Sequence, residues 1–238
     1  MEIKNVRIVS ATQKSRSKDT TLSKSNLYSN LDFSKPVQLK YVKFLFENKE
    51  SLAKEYNSAI DEALEDEIDC LILVHDDVIL EEDPIPKLEN LFDDYDLVGV
   101  AGTSKVELKS PALWHLMGGG FQGGNLHGCV QHLQEAFYGS AYDYDRKVKS
   151  NFGPYPHKAV MIDGVFMALN RKAMETMRFD EDCPSKFHFY DLIASLDFHL
   201  KGGRVGVGDI LITHESPGLR EFTEEWKNGE NYFLDKYK

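Results

Sequence analysis

The sequence lacks any apolar run that approaches the roughly eighteen residues a membrane-spanning helix requires. Its first residues, Met1 to Lys4, lead directly into a strand-like segment and carry no apolar core of the kind found in secretion signals. Cysteine is scarce: Cys70, Cys129 and Cys183 are far apart and form no C-x-x-C pair, which argues against a disulfide framework or a zinc knuckle. We therefore expect a cytoplasmic protein without a transmembrane segment.

Basic residues are fewer than acidic ones, with 28 Lys and Arg against 39 Asp and Glu, a formal net charge of −11 and a pI near 5.2. Proteins that bind nucleic acid non-specifically usually carry a basic stripe and a high pI, so polyanion binding is not expected as the main function. A polar loop near the amino terminus still contains Lys14, Arg16, Lys18 and Lys24. This loop is either a solvated face or a contact for a phosphate or a negatively charged acceptor.

Several catalytic motifs are also absent. The sequence contains no P-loop, no G-x-S-x-G nucleophile elbow and no H-E-x-x-H zinc motif. The segment from Gly118 to Gly123 formally matches G-x-G-x-x-G, but it follows no convincing strand and opens no apolar-periodic helix. The main support for a P-loop NTPase, an α/β-hydrolase, a zincin or a dinucleotide-binding protein is therefore missing.

What the sequence does contain is the pattern of one α/β domain. Its 238 residues and 42% apolar content fit a single domain with a hydrophobic core. Apolar strands alternate with amphipathic helices, and this order predicts an open mixed, mostly parallel sheet flanked by helices, with ligands at the carboxyl ends of the strands. The predicted strands are residues 6–11, 39–46, 70–74, 97–101, 159–163, 164–169 and 210–213, and the predicted helices begin near Ser51, Asp83, Arg171 and Tyr190.

Between residues 103 and 157 the periodicity fades while aromatic residues become frequent. We expect a long, aromatic-rich surface-loop insertion in this region. The rings of Trp114, Tyr138, Tyr142 and Tyr155 suit a sugar ring or a nucleobase at an acceptor site, and ordinary packing beneath a long loop is an equal alternative for any one of them.

The strongest local signal for chemistry is His75-Asp76-Asp77, which follows the buried apolar strand that ends at Val74. Two adjacent carboxylates repel each other, so a divalent cation is a natural compensator, and Mg²⁺ or Mn²⁺ combines one or two protein carboxylates with water and substrate phosphate oxygens. The alternative is a turn in which the aspartates cap the next segment. His214 ends another predicted strand at the same edge and either completes the coordination of the metal or serves a structural role.

Two further carboxylates lie in the second half of the sequence. Asp191 stands at the start of a predicted helix, where the helix dipole favours its ionised form, and it either accepts a proton from an attacking hydroxyl or caps the helix. Asp163-Gly164 is a tight bend between two strands, which either points a carboxylate at the cleft or is simply a turn.

The order of these parts resembles the GT-A nucleotide-sugar glycosyltransferases, specifically a small family-two-like branch. The segments that carry the resemblance are residues 52–60, 73–78 with Pro84, 162–168, 179–181, 190–192 and 214–218. His75-Asp76-Asp77 stands at the family's D-x-D position, with His in place of the first Asp. Tyr190-Asp191 stands at the family's E-D pair, with Tyr in place of Glu.

The resemblance implies a GT-A (Rossmann-like) fold and a role for each of these positions. Asp77 and His214 are implied as ligands of Mn²⁺ or Mg²⁺, and Asp191 as the general base of an inverting transfer from a nucleotide diphosphate sugar, a UDP-sugar first, to a hydroxyl on a glycan or another acceptor. Residues 1–102 become the half that binds the nucleotide sugar, and residues 103–238 the half that binds the acceptor and carries out catalysis. The implied nucleotide-sugar contacts are Ser10, Ala11, Thr12, Asn57, His75, Asp76, Asp163 and Gly164.

Three alternatives remain at this point. One is a carbohydrate-binding GT-A homologue that has lost catalysis. Another is the same transfer onto a hydroxymethylated base in DNA, which the basic amino-terminal loop favours and the overall acidity opposes. The last is a glycoside hydrolase that uses Asp163 and Asp191, which would leave the acidic motif after the strand without a function.

Overall fold

The computed structural model of the protein describes residues 2–12, 42–117, 124–135, 142–215 and 221–238. The strands are β1 (Val6–Ala11), β2 (Val42–Leu45), β3 (Cys70–Val74), β4 (Val78–Leu80), β5 (Leu97–Gly99), β6 (Ala101–Thr103), β7 (Leu126–Glu135), β8 (Tyr142–Gly153), β9 (His157–Lys158), β10 (Met161–Ile162), β11 (Phe166–Asn170), β12 (Val205–Val207) and β13 (Ile212–His214). The helices are α1 (Leu52–Glu65), α2 (Ile85–Asp94), α3 (Trp114–Met117), α4 (Arg171–Thr176), α5 (Tyr190–Leu200) and α6 (Glu224–Tyr237), and a 3₁₀ turn covers Pro111–Leu113.

The main sheet has seven strands in the order β2-β1-β3-β11-β5-β12-β9. Strands β1, β2, β3, β5 and β12 run in one direction, and β9 and β11 run in the opposite direction. The prediction of a mixed α/β domain is therefore confirmed, and five of the seven strands of the main sheet run in one direction. The division of labour between residues 1–102 and 103–238 stays a prediction.

Strand β3 lies near the middle of this sheet, and all five of its residues are buried. Its alternate side chains enter two different clusters: Leu71 and Leu73 pack with the inner face of α1, while Ile72 and its neighbours pack with the apolar residues on the other side. Burial on both faces explains why β3 is apolar without alternation. The helix α1 begins where the sequence predicts, because the Ser51 hydroxyl accepts a hydrogen bond from the amide of Lys54 at 3.2 Å.

A second sheet of six strands has the order β10-β6-β7-β13-β4, with β8 paired to β7. The expectation of a surface-loop region over residues 103–157 is therefore wrong, because β7 and β8 pair as long antiparallel strands there. The pairing shifts register between Gly128 and Cys129 and again between Leu133 and Gln134. Each shift breaks the period-two alternation by which a strand is recognised in a sequence.

Helix α6 has no counterpart in the sequence analysis. The Thr223 hydroxyl caps it by accepting from the amide of Trp226 at 3.2 Å. The rings of Trp226 and Phe233 pack around Phe189, with centroids 5.5 and 6.3 Å from it. Phe189 has a positive φ of 69° directly before α5, a backbone conformation that bulky residues rarely adopt. The packing of α6 thus supports the turn that aims the first residues of α5.

The three cysteines, Cys70, Cys129 and Cys183, are buried and free, as their spacing predicted. Among the described residues, no helix combines the length and the apolar character needed to cross a bilayer. The basic loop with Lys14, Arg16, Lys18 and Lys24 lies outside the described residues.

Candidate active site

Asp77 and His214 lie side by side because β4 and β13 pair in antiparallel register. Val78 is paired with His214, and the amide of Glu215 donates to the carbonyl oxygen of Asp77 at 2.9 Å. The Oδ1 atom of Asp77 is 3.3 Å from Nε2 of His214 and 4.0 Å from Nδ1 of His75. The ends of β3 and β13 thus bring the acidic motif and the late histidine to one edge.

The charges of this pair stabilise each other. Burial favours a raised pKa for Asp77, but the approach of His214 and the charge of His75 outweigh it and hold that pKa below its ordinary value. Burial likewise favours a lowered pKa for His214, and the interaction with Asp77 outweighs it and raises that pKa. The geometry between Asp77 Oδ1 and His214 is not that of a hydrogen bond, so Oδ1 is a buried acceptor without a hydrogen-bond donor among the described residues.

These side chains fit a divalent cation. His75, Asp77 and His214 each offer one ligand atom, and these atoms all lie within 4.8 Å of one another. The unsatisfied Asp77 oxygen is the kind of buried polar atom that a cation would compensate. Asp76 is buried, with 6% of its surface exposed, and is not a member of this group.

His75 is held from two sides. Its backbone amide donates to the carbonyl oxygen of Val165 at 3.2 Å, and its Nε2 lies 3.0 Å from the hydroxyl of Tyr190. The same hydroxyl donates to the carbonyl oxygen of Gly164 at 3.1 Å. Burial lowers the pKa of His75, so the neutral imidazole is favoured.

Asp191 is held against the bend between β10 and β11. The amide of Gly164 donates to Oδ2 of Asp191 at 2.6 Å, and the amide of Val165 donates to Oδ1 of Asp163 at 2.9 Å. Burial and the nearby charge of Asp163 raise the pKa of Asp191 to about 7. The bend requires a glycine, because a Cβ at residue 164 would lie 2.1 Å from the hydroxyl oxygen of Tyr190.

The residues that the resemblance assigns to nucleotide binding differ in burial and in their hydrogen-bond partners. Ser10 is fully buried at the end of β1, and its hydroxyl has no hydrogen-bond partner among the described residues. Ala11 is half-buried, and the buried Thr12 hydroxyl accepts from the amide of Glu47 at 3.1 Å. The Asn57 amide is instead tied to the protein, because it bonds both backbone groups of Phe179 and donates to Glu181 at 2.7 Å.

The four aromatic residues proposed to contact the acceptor lie in different surroundings, and one of them is outside the described residues. Trp114 is buried, with 3% of its surface exposed, and packs against Phe152 at a centroid distance of 5.6 Å. Tyr155 is half-buried against the core cluster around α1. Tyr138 lies outside the described residues, and Tyr142 is the first residue of β8. Their role at an acceptor stays a prediction.

Several residues near the site were not found by sequence reasoning. His132 lies in β7 opposite His214, with ring centroids 6.1 Å apart, and the charge of Asp163 acts on both His132 and His115. Phe187 is 48% exposed, and its ring centroid lies 5.7 Å from that of His75. His132 lies near the site because β7 pairs with β13. The alternation of inward and outward residues along β7 is irregular, so this strand cannot be recognised in the sequence.

An α/β sheet with carboxylates and imidazoles where its strands end is typical of enzymes that bind nucleotide ligands. Residues 15–237 match the model of the family described as "Glycosyltransferase like family", and the chain belongs to that family. The resemblance to family-two-like glycosyltransferases and the prediction of an enzyme are both confirmed.

Individual proteins are more distantly similar. The chain is 27% identical over 192 residues to the streptomycin biosynthesis protein StrF of Streptomyces griseus, and the match covers 79% of this chain and 61% of that protein. The structure of A197 from STIV has a TM-score of 0.46 and 12% identity, covering 93% of this chain and 99% of that one. A glycosyltransferase involved in glycosylation of the major capsid of PBCV-1 has a TM-score of 0.41 and 13% identity, covering 98% and 100%.

Proposed function

We propose that this protein transfers a sugar from a nucleoside diphosphate sugar to an acceptor hydroxyl, with inversion at the anomeric carbon and with Asp191 as the general base. The observation that carries the proposal is the connection between two groups of side chains. The cluster of His75, Asp77 and His214 is joined to Asp191 through the hydrogen bonds of Tyr190 and Gly164.

The donor end of the site is built on the ends of β1, β3 and β13. Asp77 and His214 would hold Mn²⁺ or Mg²⁺, which supplies positive charge against the charge that develops on the leaving diphosphate. The buried, unsatisfied hydroxyl of Ser10 is suited to a hydrogen bond from the nucleoside, and a UDP-sugar is the first donor to test. The proposed nucleotide-sugar contacts are those of the resemblance: Ser10, Ala11, Thr12, Asn57, His75, Asp76, Asp163 and Gly164.

At the acceptor end, Asp191 takes the proton of the attacking hydroxyl. The acceptor oxygen forms a bond to the anomeric carbon, the bond from that carbon to the diphosphate oxygen breaks, and the electron pair leaves with the diphosphate. A pKa of about 7 suits a general base at neutral pH, because the ionised form is populated while its basicity is high. A single attack of this kind inverts the configuration.

The surroundings of Asp191 and His75 suggest where the acceptor lies. The exposed ring of Phe187 beside His75 offers a flat apolar face for a sugar ring. A glycan or another neutral hydroxyl compound suits this face, and the net charge of −11 disfavours DNA as the acceptor.

A thermal-shift panel of UDP-, GDP-, TDP- and CMP-sugars, with and without Mn²⁺, tests the proposal. A true donor at about 100 times its Kd stabilises the protein by about 2.7 kcal/mol, and Asp77→Asn should remove the part of this shift that depends on Mn²⁺. Hydrolysis of the stabilising donor with added Mn²⁺ separates an enzyme from a binding protein without catalysis. If no nucleotide sugar stabilises the wild type, the proposal is wrong.

A further inference from the structure

The Tyr190 hydroxyl lies between a carbonyl oxygen, which can only accept a hydrogen bond, and a histidine nitrogen, which can donate or accept one. This hydroxyl has one proton and lies between the carbonyl oxygen of Gly164, at 3.1 Å, and Nε2 of His75, at 3.0 Å. A carbonyl oxygen can only accept, so the proton of the hydroxyl is directed to Gly164. The hydroxyl oxygen must then accept, and the matching donor is an N–H at Nε2 of His75.

This arrangement determines where the lone pair of the His75 ring lies. A neutral imidazole has one N–H and one lone pair, so a proton at Nε2 leaves Nδ1 unprotonated. Nδ1 is the atom that faces Asp77, at 4.0 Å from Oδ1. That distance is too long for a hydrogen bond, so the other tautomer would leave the Nδ1 proton without this partner and the Tyr190 oxygen without its donor.

We propose that Tyr190 fixes the tautomer of His75 and thereby makes His75 Nδ1 the third ligand of the cation site, beside Asp77 and Nε2 of His214. This inference deepens the proposed function, because it concerns the cation site that serves the sugar donor. Tyr190 acts as a positioning residue. It lies in the outer shell of the site, where partners of ligating histidines set ring orientation and tautomer.

The spacing of the three ligand atoms supports this set. With metal–ligand bonds of about 2.1 Å, two ligands of one ion lie about 3.0 to 3.4 Å apart at octahedral or tetrahedral angles. The Asp77–His214 separation of 3.3 Å already fits, and the Asp77–His75 separation of 4.0 Å needs only a small approach. All three ligand atoms lie within 4.8 Å of one another, so small side-chain movements would let one ion contact all three side chains.

The composition of the site has a consequence for the choice of ion. Two imidazole nitrogens and one carboxylate favour first-row transition ions, whereas Mg²⁺ prefers oxygen ligands. We therefore expect Co²⁺ and Mn²⁺ to bind more tightly than Mg²⁺, and we expect His75→Phe to reduce this difference.

The tautomer can be measured in the metal-free protein. In protein with ¹⁵N-labelled histidine, long-range ¹H–¹⁵N spectra distinguish the two neutral tautomers, and the spectrum of His75→Phe identifies the signals of His75. We expect a proton on Nε2 in the wild type and loss of this fixed tautomer in Tyr190→Phe. A wild-type His75 that carries its proton on Nδ1 would overturn the proposal, even if Tyr190→Phe does not fold.

Metal affinity is measured separately, by titrating the free Mn²⁺ signal in electron paramagnetic resonance. Tyr190→Phe keeps the ring that packs on Tyr56 and Phe179, and we expect it to weaken Mn²⁺ binding about tenfold, within the range for outer-shell partners. His75→Phe should weaken it at least as much. Tyr237→Phe is the control, since its hydroxyl donates to Asp197 at 2.7 Å instead, and its affinity should match the wild type.

A Mn²⁺ affinity of His75→Phe within twofold of the wild type would exclude His75 as a ligand. Neither measurement uses a sugar donor, so this inference can fail while donor stabilisation and turnover still support a transferase. Conversely, absence of donor binding in a protein that binds Mn²⁺ through His75 would contradict the proposed function alone.

Discussion

Replacing Asp191 by asparagine should abolish turnover and, at alkaline pH, make the folded protein more stable. The two effects have one origin, since the half-buried carboxylate is desolvated and lies near the charge of Asp163, which together disfavour its ionised form. An asparagine has nearly the same shape, and its amide oxygen can still accept from the amide of Gly164. The substitution therefore removes the charge and the proton acceptor while it preserves the packing.

The size of the stability effect follows from the difference between the folded and unfolded pKa values. The folded pKa of Asp191 is about 7, and an unfolded Asp titrates near about 3.9. Because the folded pKa is raised, the contribution to stability is complete below about pH 4 and is lost as the pH rises towards 7. Between pH 5 and pH 8 these two pKa values correspond to a loss of at most about 2–3 kcal/mol. Solvent screening reduces this loss, because Asp191 is only half-buried.

The assay is urea unfolding of the metal-free wild type and of Asp191→Asn at pH 5, 6, 7 and 8. We expect the free energy of unfolding of the wild type to fall relative to the variant by about 1–3 kcal/mol across this range. Glu65→Gln, which removes an exposed carboxylate at the end of α1, is the control, and its difference from the wild type should stay within about 0.5 kcal/mol at every pH.

Turnover is measured on the same proteins once a donor has been found. Loss of the general base should lower kcat by about 10²- to 10⁴-fold, and log kcat/KM of the wild type should rise with pH and level off above about 7. Parallel stability curves for wild type and Asp191→Asn would refute the raised pKa. Wild-type turnover in the variant would refute the role of Asp191 as the base.

Two further substitutions test the geometry around Asp191 and His75. Gly164→Ala should destabilise the fold by about 1–3 kcal/mol, because its Cβ would lie 2.1 Å from the hydroxyl oxygen and 2.6 Å from Cζ of the buried Tyr190. Urea unfolding measures this loss, and adding Tyr190→Phe should restore part of it. An unchanged free energy of unfolding in Gly164→Ala would contradict the close contact. Phe187→Ala should raise the KM for the acceptor several-fold. Because the ring is 48% exposed, the free energy of unfolding should stay within about 0.5 kcal/mol of the wild type. An unchanged KM in steady-state kinetics would remove Phe187 from the acceptor site.

The parts of the site that lie at strand ends were accessible from the sequence. The apolar run of β3 is continuous because both of its faces are buried, and its end places Asp77 at the edge of the sheet. His214 ends a strand that can be recognised in the same way, and the bend at Asp163-Gly164 lies between two apolar strands. The pattern of apolar and polar residues along the sequence was sufficient to predict these positions, since each lies at the end of a single strand.

The remaining parts depend on contacts between segments that are distant in the sequence. The hairpin of β7 and β8 brings His132 opposite His214, but its two register shifts remove the alternation that marks a strand. Helix α6 reaches this region by packing its aromatic rings on Phe189, the residue directly before α5. The hydrogen bonds of Asn57 to Phe179 likewise join residues more than a hundred positions apart, so the local sequence does not reveal them. The assignment of Asn57 to the nucleotide stays a prediction.

Gly164 links the two halves of the proposed reaction. Its amide donates a hydrogen bond to the carboxylate of Asp191, and its carbonyl oxygen accepts one from the hydroxyl of Tyr190, which also contacts His75 beside Asp77. One peptide segment therefore connects Asp191, the proposed base, with His75 in the proposed cation site. A displacement large enough to admit a side chain at residue 164 would disturb both the proposed base and the proposed metal ligands, because the Cβ of an alanine would contact Tyr190 and Asp191 at the same time. We infer that the precision required between the two ends of the displacement explains why this bend contains a glycine.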